Sequence, residues 1–509
     1  MRKNIEDQPD FPVRGLMLDI GRGKIPTMET LYRIIDLMAD VKLNHFQLYI
    51  QGFPFAYPSF PQVWRDGTPI TGEEMVMLGK YCKERFIDFV PNQNSFGHMT
   101  PWLVRQEFNN LAECPKGSIA PWGPFSKPLG INPLDEKSIE FLRTTYADLL
   151  PCFDSEYFNV GCDETHDLGQ GKSRAQCEKA GAGRVYLDFL IKINELVKEH
   201  NKTMMFWGDI ILKYPELIPE IPGGTIALHW GYSEDKPFEA DCVKFRNANI
   251  PYYICPSVNT TCSILGKTTI MKSNLINAAE RGKKYGAIGY LNTDWGDYGH
   301  WQPLPASYAG YCLGAALSWS LEQNKDIDVA LYLNKFIFQD RNNKMGQFAL
   351  DAGECCMPKM AAKHFNGSAI FWLLYFSQLD ESQSPIPSVQ IPDLTADYFN
   401  RVKENIAGLY KDLDNSEMNC DDSETVDAEF RISMRLILHG ANLGLFKLRN
   451  DMEKDGKRRQ LEALLEDITA IITEYKISWL KRNRIGGLDG SAARMENLKQ
   501  QYKVALEKV

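Results

Sequence analysis

The sequence predicts an α/β protein: a (β/α)8 TIM barrel followed by an all-helical C-terminal region. Three observations carry that reading. Eight short apolar runs alternate with amphipathic stretches through the first two thirds of the chain, the count for a closed parallel barrel. The first run ends in LDIGRGK, which lacks the G-x-G-x-x-G spacing of an open, dinucleotide-binding sheet. Beyond residue 330 strand-like runs become rare and helical periodicity takes over. The expected division is a barrel over 1–334 and a helical domain over 335–509.

The strand candidates, in order, are RGLMLDI (14–20), HFQLYI (45–50), IDFVPN (87–92), YFNVGCDE (157–164), TMMFWGD (203–209), TIALHW (225–230), PYYICPS (251–257) and GAIGYLNTDW (286–295). Each is a short apolar run that ends in polar or aromatic residues and is followed by an amphipathic stretch. Between them, 28–42 places Leu31, Ile34, Ile35 and Met38 at helical spacing, and 73–85, 137–150, 185–200 and 270–285 behave alike. In the last third, Leu461, Leu464, Leu465, Ile468, Ile471, Ile472 and Tyr475 form one apolar stripe, and 430–448 reads as a second helix. The polar, Pro-rich stretch 380–394 reads as a loop. The stripe must be buried against the barrel or a second subunit, so a homodimer is among the expectations.

Composition narrows the function classes. With 44% hydrophobic residues the 509-residue chain has enough apolar side chain to offset chain entropy, which excludes disorder as the dominant state. A net charge of −9 argues against a nucleic-acid binder, which needs a basic face. No run of 18 apolar residues suggests a membrane span. The N-terminus shows no apolar h-region, and the twelve cysteines contain no CxxC pair. Scattered cysteines of this kind read as buried thiols in a reducing compartment, hence a cytoplasmic location, with no cysteine-held zinc expected.

In a barrel the active site forms at the C-terminal strand ends. There stand Asp19 and Arg22 (strand one), Asn94 and His98 (three), Asp163-Glu164 (four), Trp207 and Asp209 (five), His229-Trp230 (six), and Asp294-Trp295-Gly-Asp297-Tyr298 (eight). A single Trp at a strand end more often packs than binds. Three at corresponding positions, with paired carboxylates, suit a sugar: indole faces stack on pyranose C–H surfaces, while carboxylates do acid/base work and bind hydroxyls.

Taken together these motifs resemble the family 20 glycoside hydrolases, the β-N-acetylhexosaminidases. That family's strand-four His-x-Gly-Gly-Asp-Glu is represented by Asn159-Val-Gly161-Cys162-Asp163-Glu164, with Asn for His and Cys for the second Gly. Leu18-Asp19-Ile-Gly-Arg22 matches its strand-one motif. Asn94-Ser-Phe-Gly97-His98 matches Asp-x-x-Gly-His with Asn for Asp, and Trp295-Gly-Asp297 approximates Trp-x-Glu. The run Gly161–Gly171 is most similar to the short, intracellular branch typified by hexosaminidase D, and the α+β domain that often precedes such barrels is not seen before strand one.

The resemblance implies a β-linked N-acetylhexosamine glycan or glycoconjugate as substrate, without nucleic acid, membrane or cofactor. It implies substrate-assisted retention, with Glu164 as acid/base and Asp163 orienting the acetamide. Trp207, Trp230 and Trp295 would wall the sugar, Arg22 and Asp297 would bind outer hydroxyls, and His98, Asp294 and Tyr298 complete the substrate-binding set. The family's strand-seven tyrosine has no counterpart in 256–262; Tyr298 is the first substitute and Tyr232 the second. Alternatives are a glycosidase pairing Glu164 with Asp209 or Asp294, or a non-catalytic sugar-binding barrel. Finally, the WLKRNRIGGLDGS segment (479–491) ends a helix at a Gly-Gly break. Lys481, Arg482 and Arg484 there either complement the helix dipole in water or bring the loop to a barrel mouth, on the leaving-group side.

Overall fold

The computed structural model describes residues 7–356, 367–376, 394–449 and 452–509. Eight parallel strands form one sheet: β1 (Val13–Asp19), β2 (His45–Tyr49), β3 (Asp88–Val90), β4 (Tyr157–Asn159), β5 (Thr203–Trp207), β6 (Ile226–Trp230), β7 (Tyr252–Cys255) and β8 (Gly289–Asp294). β1 pairs with both β2 and β8. A parallel bridge between Asn92 and Asn159 links the ends of β3 and β4 and closes the barrel. The strands are buried on both faces, as a barrel wrapped by helices requires.

Helices follow the strands: α1 (Met28–Asp40), α2 (Gly72–Lys83), α3 (Glu136–Leu149), α4 (Ala182–Glu199), α5 (Phe238–Asn247), α6 (Thr268–Tyr285) and α7 (Tyr308–Trp319). The start of α2 is written in the sequence. Thr71 caps α2 through the amide of Glu74, whose carboxylate returns to the Thr71 amide, a complete capping box. After β5 the alternation lapses: only short 3-10 turns, Ile211–Lys213 and Pro215–Glu220, fill that place. The two prolines of that stretch, Pro215 and Pro219, do not suit a helix interior.

The C-terminal region is helical as expected, with α8 (Met345–Ala352), α9 (Ala369–Phe376), α10 (Ala396–Asp414), α11 (Ser423–Lys447), α12 (Lys454–Arg482) and α13 (Leu488–Glu507). The predicted loop over 380–394 lies, apart from Leu394, outside the described residues. The α12 stripe is buried within this chain: Leu461, Leu464, Ile468, Ile471, Ile472 and Tyr475 belong to the same continuous core as α11 and α13. No second subunit is needed to cover it. Among the described residues no helix is long and apolar enough to cross a membrane.

Candidate active site

A cleft of about 500 Å³ opens at the C-terminal ends of the strands. Its base is set by how β4 ends. Regular strand geometry stops at Asn159, and the chain then turns through left-handed conformations at Gly161 (φ 70°), Cys162 (φ 71°) and Glu164 (φ 48°). In an extended strand Asp163 and Glu164 would face opposite sides. The turn brings both to one imidazole instead: His98 Nε2 lies 3.2 Å from Asp163 Oδ2 and 3.3 Å from Glu164 Oε2. Non-glycine residues at positive φ cost of order 1–3 kcal/mol each and persist where surrounding contacts over-determine them. Here the contacts are tight, since a Cβ at Gly97 would sit 2.1 Å from the Asp163 carbonyl oxygen. Only glycine lets the β3 loop cross the β4 loop so closely.

The electrostatics follow from that triangle. Burial opposes charging His98, but Asp163 beside it and hydrogen bonds to both carboxylates outweigh burial and raise it to about 10. Burial likewise pushes Glu164 upward; the hydrogen bond and charge of His98 win, holding the carboxyl below its usual range. Asp209 stands behind the pair, its Oδ2 accepting the Glu164 N–H at 3.1 Å. Burial and the Asp163 charge push its carboxyl up to about 7. Asp163 Oδ1 is buried with no hydrogen-bond partner among the described residues, as is Trp207 Nε1.

Aromatic side chains from β2, β5, β6 and the β8 end pack together beside these carboxylates. The Trp207 and Trp295 rings are 6.1 Å apart, Tyr232 stacks on Trp230 at 5.1 Å, and Tyr49 meets Trp295 edge-on at 4.8 Å. At one end Arg22 pairs with Asp19 (2.9 Å) and Asp297 (3.0 Å), its guanidinium lying over Tyr49 and Trp295. Asp19, fully buried, also accepts the amides of Gly21 and Gly296 and so joins the β1 and β8 loops.

Two expectations are corrected. Asp294 does not reach the cleft: it is buried behind β8, accepting Tyr311 OH at 2.5 Å and Thr260 Oγ1 at 3.0 Å. Strand alternation explains it, because its neighbour Trp295 takes the cleft face. Nor are Arg482 and Arg484 solvated helix-end charges. Arg482 is buried against Glu429 (2.9 Å) and Asp422 (2.7 Å), and Arg484 pairs with Glu74 at 2.7 Å. Tyr298 lines the rim, yet its ring leans away onto Trp372 and Tyr375 of α9. Tyr232 is the tyrosine within the tryptophan wall, with Trp230 on one side and Trp295 6.3 Å away.

Trp122 also lines the cleft and is not among the residues the sequence motifs single out. It sits at the tip of a two-stranded hairpin (Ser118–Ala120 with Gly123–Phe125), 58% exposed, edge-on to His166 and on the cleft rim. A tryptophan in the turn Pro121-Trp-Gly-Pro was the available signal.

The family model described as "Glycosyl hydrolase family 20, catalytic domain" matches residues 11–242, β1 through α5. Over those residues the chain is similar to glycosyl hydrolase family 20. Mouse "Beta-hexosaminidase subunit beta" is 25% identical over 244 residues, covering 45% of this chain and 43% of that one. "Chitooligosaccharidolytic beta-N-acetylglucosaminidase" of Ostrinia furnacalis is 30% identical over 180 residues, 32% and 29% of the respective lengths. The chain thus matches less than half the length of these family 20 relatives. Among solved structures, a β-N-acetylhexosaminidase shares the fold at TM-score 0.51 and 21% identity, over 65% of this chain and 78% of that one. The family 20 enzyme from Vibrio harveyi shares it at TM-score 0.50 and 19% identity, over 63% and 56%.

Proposed function

We propose that this chain is an exo-acting, retaining β-N-acetylhexosaminidase that removes terminal β-linked GlcNAc or GalNAc with the help of the sugar's own acetamide. The observation that carries the reading is Asp163: one oxygen held by His98, the other buried and unpartnered, beside Glu164 and within a tryptophan wall. A buried, unsatisfied acceptor in an aromatic pocket suits an amide N–H on an apolar methyl group. The names of the curated relatives support the same substrate class.

In this mechanism the acetamide oxygen attacks C1 of its own sugar. Asp163 accepts the acetamide N–H, aligns it, and offsets the positive charge of the oxazolinium as it develops. Glu164 gives its proton to the leaving oxygen, then takes one from the attacking water. A sugar entering the cleft excludes water from Glu164, which shifts the carboxyl toward its protonated form, the direction in which burial already pushes it. Tyr232 is assigned the hydrogen bond to the acetamide oxygen. Arg22 and Asp297 take the outer hydroxyls and close that end of the cleft, which supports exo attack.

Neither carboxylate proposed as an ordinary partner for Glu164 favours the two-carboxylate alternative. Asp209 binds the Glu164 backbone from behind and Asp294 lies behind β8. All twelve cysteines are free thiols, which supports a reducing, cytoplasmic setting. The test is hydrolysis of p-nitrophenyl β-GlcNAc, β-GalNAc, β-glucoside and β-galactoside side by side. Turnover confined to the first two is expected; turnover confined to the last two overturns the proposal.

A further inference from the structure

The ion pair at the closed end of the cleft is gripped from outside the barrel. The β1–α1 connection that carries Arg22 runs alongside the loop between α12 and α13. Arg484 N–H donates to the Ile25 carbonyl at 2.8 Å, Thr27 N–H donates to the Arg482 carbonyl at 2.8 Å, and Pro26 and Asn483 form an antiparallel bridge. Gly487, at φ 82°, faces Gly23 so closely that a Cβ there would lie 1.9 Å from the Gly23 oxygen. The Arg484 guanidinium reaches further, to the Pro69 carbonyl at 2.7 Å and to Glu74.

The same helical segment also holds the β8 loop that carries Asp297. Ser491 Oγ donates to the Gly299 carbonyl, and Trp301 Nε1 donates to the Ser491 carbonyl at 2.9 Å. That loop is strained, with Tyr298 (φ 58°) and His300 (φ 53°) both left-handed. Such a conformation needs external contacts to be the single populated state. A third tie crosses between the two loops: Lys24 Nζ donates to the His300 and Gln302 carbonyls at 3.1 and 2.7 Å, and lies 5.3 Å from the ring of Trp479 on α12.

We propose that the α12–α13 turn, through Gly487 and Ser491, is the positioning element that sets the Arg22–Asp297 spacing and thereby the recognition of the sugar's outer hydroxyls. The inference rests on the hexosaminidase reading for the identity of the ligand. Gly487 and Ser491 are positioning residues: they act through Gly23 and Gly299, one residue from Arg22 and two from Asp297. The segment therefore serves the outer-hydroxyl end of the site in its own barrel, opposite in sense to a role on the leaving-group side.

The test compares wild type, Ser491→Ala and Gly487→Ala on p-nitrophenyl β-GlcNAc, its 4-epimer and its 4-deoxy analogue. A small displacement of a binding group costs about ten- to a hundredfold. A loss of that size in kcat/KM is expected for the substrates whose hydroxyl is read, carried mainly by KM, with a markedly smaller loss on the 4-deoxy analogue. Equal losses on all three, or no loss in folded variants, overturn the proposal. Amide hydrogen exchange supplies a readout independent of turnover. Ser491→Ala should speed exchange in 20–27 and 296–301 and leave 161–166 unchanged; unchanged exchange in the two loops overturns the proposal even if neither variant is assayed. A wild type inactive on all acetamido substrates would sink the hexosaminidase reading alone, leaving the exchange result to decide this one.

Discussion

Glu164→Gln is expected to fold like the wild type and to lose about 10²- to 10⁴-fold in kcat on a disaccharide, the usual contribution of a general acid. The side chain keeps its shape, and the Glu164 N–H to Asp209 contact that holds the turn is a backbone one, so the architecture stays intact. What goes is the transferable proton. Aryl glycosides with good leaving groups should lose far less in the first step, because their departure needs little protonation. The pH profile should change as well. Since His98 holds Glu164 below its usual range in the free enzyme, wild-type kcat/KM should fall as pH rises through that lowered value, where the acid form is lost. The Gln variant should lack this limb. Near wild-type turnover on a disaccharide would place the acid elsewhere.

Asp163→Asn is expected to lower kcat by about 10²- to 10³-fold while changing KM little, because its charge matters most as the oxazolinium develops. Asn keeps the hydrogen-bond geometry toward His98 but removes the negative charge that, with Glu164, holds the imidazole protonated. The acetamide N–H would meet a neutral amide, free to present either its oxygen or its own N–H. A variant that binds substrate more weakly at unchanged kcat would show Asp163 to be a binding group only.

Much of this site was legible because its determinants are local. Trp207 and Trp230, which end their strands, and Trp295, just past β8, announce themselves by apolar runs, and the Asp163-Glu164 pair follows one directly. What the sequence hid was set by direction or by distance. Asp294 and Trp295 are adjacent in the chain, yet strand alternation sends one to α7 and the other to the cleft; the run shows both without saying which faces where. Tyr232 and Tyr298 look alike as loop tyrosines, and only packing separates them. Arg482 reads as a helix-end cation until Glu429, 53 residues away, is brought against it.

The claim on which the account turns is that the acetamide is the nucleophile. The most direct measurement is kcat for p-nitrophenyl 2-amido-β-glucosides bearing zero, one, two and three fluorines on the acetyl methyl group. Fluorine withdraws electrons from the carbonyl oxygen and changes the size of the group little. A steep, monotonic fall in kcat is expected across the series, since the attacking oxygen loses nucleophilicity at each step. Rates that stay level with fluorination would contradict it, and would return the first step to a protein carboxylate.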